Sequence, residues 1–237
     1  MTVDPGRLGN VNVRVCWGPR AETAAAIAER WRATIQGLAA LEPPVGGWVV
    51  LDEDDNDRPL SDDDLPLLLD GRGRDTSTLG HKFTMVNGDP NAAVFFSATA
   101  GSTAAVPGLL NLARVEGTAA ALGDLQAILL VLVTEWDPDH GEIYGDRWIE
   151  AQRPGRGEPI AGAVTYLSAA RARQIPANLP AAVRPMPGDG VLLSLIEPDG
   201  AIPSLDRVMD LADRLRVAGA FAPVPTDAAH WHPEIVE

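Results

Sequence analysis

The chain has 237 residues with a formal net charge of −14, and 46% of its residues are hydrophobic. This content is typical of a globular protein, while the negative charge disfavours direct binding to nucleic acid or to an anionic membrane surface. No segment reaches the ~20 apolar residues of a membrane helix, and residues 1–6 lack the basic start and apolar core of a signal peptide. We therefore expect a cytoplasmic protein.

Hydrophobic periodicity predicts the first elements. Residues 11–17 alternate between apolar and polar side chains, which predicts a half-buried strand. Thr23 can cap a helix that ends before Pro43, because the apolar residues that follow it repeat at helical spacing. These residues are Ile27, Trp31, Ile35, Leu38 and Leu41. A short strand at residues 46–51 and a short helix at residues 65–69 complete this part.

The second part of the chain is predicted to be richer in strands. Strands are expected at residues 81–86, 92–99, 109–115, 163–167, 183–186 and 190–196. Residues 119–133 are apolar on several sides and predict a central buried helix, whereas residues 136–152, rich in Asp, Gly and aromatic residues, predict a long loop. The last helix has an apolar face formed by Leu205, Val208, Met209, Ala212 and Leu215.

This order of elements predicts an α+β fold. The strands cluster, and the helices do not alternate with them regularly, so we expect a mostly antiparallel or mixed sheet packed by helices. We expect one domain at residues 1–222, followed by a Pro-rich C-terminal tail at residues 223–237.

The sequence contains no recognised catalytic motif. Nucleophile elbows, phosphate loops, zinc spacings and dinucleotide fingerprints are all missing from it. Cys16 is the single cysteine, so it cannot form a disulfide within the chain or a zinc site built from several cysteines. Its alternating surroundings predict a small buried hydrophobe in a strand, and a catalytic nucleophile is the alternative. We expect no catalytic residue, no cofactor and no bound metal.

Residues 136–144 combine acidic and aromatic side chains. They include Trp136, Asp137, Asp139, His140, Glu142 and Tyr144. Alternating carboxylates can bind calcium, and a histidine between carboxylates can act as an acid or base. A polar loop that hydrogen-bonds its own backbone and a protein interface are the other interpretations.

Residues 52–64 form the densest charged segment. They contain eight carboxylates against Arg58 alone, so the segment carries −7, half of the net charge. Solubility and helix capping explain such a run, and so does electrostatic attraction of a basic partner. The residues that we expect to contact a partner are Asp52, Asp54, Asp55, Asp57, Asp62, Asp63, Trp136, Asp137 and Asp139.

Several short motifs, in this order, resemble a known family. They are the segments at residues 16–23, 38–43, 68–75, 79–88, 136–139 and 162–168. In their order and spacing they are similar to the bacterial polymorphic-toxin immunity family numbered fifty-two. The aspartates at residues 52–60 and the alanine-rich residues 98–106 depart from that pattern.

The resemblance implies a cytoplasmic immunity protein that binds and neutralises a secreted bacterial toxin, often a nuclease. A nuclease cleft is basic because it binds phosphates, and an acidic surface can occlude it. Two alternatives remain open: a small metal-assisted hydrolase that uses residues 136–144, and an effector chaperone or secretion adaptor that binds without inhibiting.

Overall fold

A computed structural model describes residues 10–50, 58–59, 80–87, 93–104, 110–118, 122–197 and 199–226. In these residues the strands are β1 Asn10–Trp17, β2 Trp48–Val50, β3 Arg58–Pro59, β4 His81–Asn87, β5 Phe95–Ala100, β6 Asn111–Thr118, β7 His140–Gly145, β8 Val164–Leu167, β9 Ala182–Pro185 and β10 Val191–Ser194. The helices are α1 Ala24–Ala39, α2 Leu125–Trp136, α3 Asp146–Gln152, α4 Ala169–Ala172 and α5 Leu205–Val217, with a 3-10 turn at Pro187–Asp189.

Within the described residues, these strands form one ten-stranded sheet in the order β3-β2-β4-β5-β6-β1-β7-β8-β10-β9. Each pair of neighbouring strands is antiparallel. The first strand of the chain therefore lies in the interior of the sheet, with β6 on one side and β7 on the other. The α+β prediction with an antiparallel sheet packed by helices is confirmed.

One face of the sheet packs against α1 and α2. Alternate residues of β1 point to this face, and Val11, Val13, Val15 and Trp17 are all 0% exposed. They join residues of both helices in one hydrophobic core. Because side chains in a strand alternate between faces, the same strand presents Asn12, Arg14 and Cys16 to the opposite face.

A second core covers the opposite face near β7, β8 and β10. Tyr144, Leu167 and Leu193 from these strands pack with buried residues of α3 and α5. The sheet is therefore covered on both faces in this region, which explains why all six residues of β7 are buried. Strands with two covered faces lose the polar and apolar alternation that identifies a half-exposed strand.

Three of the described helices, α1, α2 and α5, begin at residues whose side chains cap them. The Thr23 side chain accepts a hydrogen bond from Ala26 N at the start of α1, which confirms the predicted cap. Asp124 does the same for α2 by accepting from Gln126 N and Ala127 N. Ser204 caps α5 by accepting from Arg207 N. Each bond satisfies a backbone N–H that has no partner within the helix.

Two predicted boundaries are wrong. A helix is predicted at residues 119–133, whereas the observed helix α2 is Leu125–Trp136. It begins after its cap, Asp124, and its last turn continues through the apolar Trp136. Residues 136–152 are not a long loop, since they contain the end of α2, then β7 and α3. Because β7 contains charged residues, its sequence does not show the apolar pattern of a strand that is buried on both faces.

Two predictions concern residues at the margin of the described structure. The short helix at residues 65–69 lies outside the described residues. Of the predicted tail, residues 223–226 are described, and there Val224 is 3% exposed and its backbone N–H donates to Gly157 O. No helix in the described ranges has both the length and the apolar character needed to cross a membrane.

Candidate functional site

The predicted contact residues divide into two groups. Asp52, Asp54, Asp55, Asp57, Asp62 and Asp63 lie outside the described residues. Of the other three, Asp137 is exposed, whereas Trp136 is 0% and Asp139 is 2% exposed. The structure therefore brings only one of these three side chains to the surface.

Trp136 is part of the aromatic core. Its ring stacks on Trp17 with 5.3 Å between centroids and meets the edge of Trp31 at 6.3 Å. Its indole N–H donates to Thr34 Oγ1 at 3.0 Å. The expectation that this side chain contacts a partner needs correction, because an aromatic ring enclosed in this way stabilises the fold and presents no surface.

Asp139 joins three parts of the chain. Arg171 of α4 donates from Nε to Asp139 Oδ2 at 2.6 Å, and its Nη1 donates to the carbonyl oxygens of Ala220 and Ala222. Ser168 Oγ donates to the other carboxylate oxygen at 3.3 Å. The predicted contact role needs the same correction here, because this carboxylate is used inside the protein.

The pairing of β1 with β7 assembles a charged cluster around Asp139. Arg14 stands opposite Glu142 and Cys16 stands opposite His140. All four side chains point to the face opposite the tryptophans, because they alternate with Val15 and Ile143, which belong to the apolar core. We define the charged cluster as Arg14, Cys16, Asp139, His140, Glu142 and Arg171.

Glu142 is neutralised by Arg14. The Arg14 Nε donates to Glu142 Oε1 at 2.6 Å, and Nη2 contacts the same oxygen. Burial lowers the pKa of Arg14, but Glu142 more than offsets this and the net shift is upward. The guanidinium also lies 5.0 Å from the ring centroid of Tyr144.

His140 lies between two carboxylates. Its Nδ1 is 3.7 Å from Asp139 Oδ2, and its Nε2 is 3.8 Å from Glu142 Oε2. Burial disfavours the imidazolium, but Asp139, Cys16 and Glu142 outweigh this and raise the pKa of His140 to about 9. Burial alone would raise the pKa of Asp139, yet His140 and Arg171 lower it.

Two buried atoms of this cluster have no hydrogen-bond partner. They are His140 Nδ1 and Glu142 Oε2, since the distances to the nearest opposite charges exceed hydrogen-bonding range.

Cys16, which the sequence predicts to be buried, is 2% exposed, which confirms that prediction. One donor atom each from Cys16, His140 and Glu142 lies within 4.8 Å of the others, so these residues could hold a metal ion.

Only part of this cluster is visible in the sequence. Asp139, His140 and Glu142 are close together in the sequence, but Cys16 lies more than a hundred residues earlier. The sequence indicates the position of Cys16 only through the alternation of residues 11–17, which puts Arg14 and Cys16 on the same face of the predicted strand. Only the strand pairing brings that face next to His140.

Comparisons with known proteins do not establish a family. No protein-family model matches the chain, and no curated protein matches it either. Among solved structures, the chain is similar to a T6SS protein from Pseudomonas aeruginosa, with 14% identity, a TM-score of 0.46, and coverage of 87% of this chain and 72% of that chain. A likeness at this level carries no conclusion about function, and the resemblance to the immunity family stays a prediction.

Proposed function

We propose that the protein acts by binding another protein, as an immunity protein that neutralises a secreted bacterial toxin through a basic surface of that toxin. The resemblance of its ordered motifs to immunity family fifty-two suggests the toxin, and the net charge of −14 suggests the sign of the surface. A nuclease fits this description, since its substrate cleft must attract phosphates.

The observation that carries the proposal is the burial of the reactive side chains. Cys16, His140 and Glu142 are between 0% and 2% exposed, and Asp139 is held by Arg171. A catalytic group must touch its substrate, and these groups are enclosed by protein. Their enclosure favours a function carried by the outer surface over the alternative of a hydrolase at residues 136–144.

The charge distribution supports an electrostatic mode of binding. Half of the net charge lies in residues 52–64, where eight carboxylates oppose Arg58 alone. Concentrated charge accelerates association with an oppositely charged surface, and salt weakens this acceleration. Asp137, which is exposed, adds one more carboxylate to the predicted contact set.

The first experiment co-expresses the chain with the gene that lies next to it. Rescue of cells from a toxic neighbouring product supports an immunity protein. Binding without rescue supports the effector chaperone or adaptor instead, and no binding together with activity on a metabolite supports the hydrolase.

The second experiment measures the association rate with that toxin at low and high salt. Changing Asp52, Asp54, Asp55, Asp57, Asp62 and Asp63 to Asn should slow association by about tenfold or more at low salt, and by less at high salt. A control variant removes equal charge elsewhere by amide substitution of the exposed residues Glu29, Asp146, Glu150, Asp189, Asp206 and Asp213. Equal effects of the two variants would show that only net charge matters and would contradict contact through residues 52–64.

A further inference from the structure

A group of three potential metal ligands lies between the two interior strands β1 and β7. A sulfur from Cys16, a ring nitrogen from His140 and a carboxylate oxygen from Glu142 lie within 4.8 Å of one another. The three side chains are 2%, 1% and 0% exposed. Thiolate, imidazole and carboxylate are the three ligand types that zinc uses in proteins.

The group contains an unsatisfied polar atom that points to a ligand. Glu142 Oε2, which faces His140 Nε2, is buried without a hydrogen-bond partner. Native proteins satisfy nearly all such buried groups with protein atoms, water or an ion, because an unpaired buried polar atom is costly. Glu142 Oε1 is already used by Arg14, so Oε2 is the oxygen that remains for a ligand.

The distances agree with a tetrahedral ion. Ligand atoms at about 2.0–2.3 Å from zinc lie roughly 3.3–3.8 Å from one another in that geometry. His140 Nε2 and Glu142 Oε2 are 3.8 Å apart. No separation in the group exceeds 4.8 Å, so a shift of at most about 1 Å in a side chain brings all three atoms within reach.

The surroundings resemble those of a metal-binding histidine. The ring nitrogen that does not bind the metal commonly donates to a carboxylate, which fixes the orientation of the ring. Here His140 Nδ1 faces Asp139 Oδ2 at 3.7 Å while Nε2 faces Glu142. Arg14 fixes the Glu142 carboxylate in the same way from the other side.

We propose that Cys16, His140 and Glu142 bind a divalent ion of the zinc class between β1 and β7. The ion would join two strands whose paired residues lie more than a hundred positions apart in sequence.

The test uses the full chain, treated with a chelator and refolded in the presence of cobalt(II). Cobalt(II) replaces zinc in such sites and is visible by absorption. The expected result is one tightly bound cobalt per chain with a thiolate-to-cobalt charge-transfer band, which added zinc removes. Because the chain has a single cysteine, this band can report only on Cys16.

Matched variants separate this site from other metal-binding groups. Cys16→Ser should abolish the charge-transfer band, and His140→Gln should weaken cobalt binding about 10–100-fold or more. His81→Gln, on β4 and separated from β1 by two strands, should change neither result. Carboxylates of residues 52–64 would bind metal through oxygen alone, without a thiolate band. A wild-type protein that shows no such band overturns the proposal.

A measurement on the unmodified chain covers the case in which a variant fails to fold. X-ray absorption of the zinc-loaded protein should show one sulfur at about 2.3 Å and nitrogen or oxygen ligands at about 2.0–2.2 Å. A ligand shell of nitrogen and oxygen only overturns the proposal.

Discussion

The two faces of strands β1 and β7 hold the same sheet together by different forces. On one face, Val15 and Trp17 pack in an apolar core that also contains Ile143 and Trp136. On the other face, at the alternating positions of the same two strands, lies the charged cluster, which is held by ion pairs and contains unsatisfied polar atoms. Both faces are buried, so burial alone does not distinguish a core from a site.

The two faces of β1 and β7 should lose stability in different ways when their residues are substituted. Apolar contacts are non-directional, and a lost side chain costs its transfer free energy and the cavity that it leaves. A buried ion pair costs most when one partner is removed, because the other charge then remains buried and uncompensated. The following predictions test that difference.

The largest effect is expected on the apolar face. Trp136→Ala should lower the free energy of unfolding by about 4 kcal/mol, because it removes a side chain that packs on Trp17 and Trp31. The control is Asp137→Asn at the next, exposed position. It should change the free energy of unfolding by less than about 0.5 kcal/mol. Urea denaturation measures both, and a small effect of Trp136→Ala would contradict its place in the core.

The second prediction concerns the charged face. Asp139→Asn should lower the free energy of unfolding by about 3 kcal/mol, because the guanidinium of Arg171 then stays buried without its carboxylate. The double variant Asp139→Leu with Arg171→Met should cost less than the sum of its single substitutions. Additive costs in urea denaturation would show that the two charges do not act as a pair.

The third prediction is a pH dependence of the metal-free protein. The pKa of His140 is about 9 in the folded chain and 6.5 by reference when unfolded. The folded state therefore binds more protons between these values, so the stabilisation contributed by His140 is complete below pH 6.5 and is lost as pH rises through 9. The loss should be on the order of 2 kcal/mol. The charged or titratable groups around His140 are Arg14, Cys16, Asp139, Glu142 and Arg171.

Denaturation at several pH values with a chelator present measures this dependence. In His140→Gln most of the dependence between pH 6.5 and 9 should disappear, because glutamine does not titrate. A pH dependence that is unchanged in His140→Gln would assign the effect to another group.

The smallest effect is expected at the start of α2, the helix that carries Trp136. Asp124→Ala should cost about 1 kcal/mol, because Gln126 N and Ala127 N lose their acceptor. Asp124→Asn retains an acceptor oxygen and should cost less. Thermal unfolding compares the two, and equal losses would show that the charge of Asp124, and not its hydrogen bonds, stabilises the helix.

Periodicity predicted those elements that have one dominant apolar face. Strand β1 and helix α1 follow alternation and helical spacing, and Thr23 forms the predicted cap. The fold class followed from the clustering of strands. Strand β7 was missed because its glycines and charged residues are buried by long-range packing on both faces, and no local pattern contains that information.

The candidate site could be predicted only in part for the same physical reason. The acids of residues 136–144 were visible as a group, but their burial depends on Arg14 and Arg171, which reach them from distant elements. Asp137, Asp139 and Trp136 differ in exposure because a helix ends between them, and a left-handed Asp137 turns the chain. The acidic and aromatic composition of residues 136–144 predicted a partner-binding surface, whereas the structure has a buried charged cluster there.

The central place of β1 has a consequence for how the chain folds during synthesis. Residues 10–17 are synthesised long before both of their partners, which are residues 111–118 and 140–145. Strand β1 therefore has to wait until about half of the 237 residues exist before the first of its edges is paired. Contacts of this range are slow to form, and an apolar strand that waits for them is open to the wrong neighbours. The interior position of β1 in the sheet can therefore be completed only after β6 and β7 have been made.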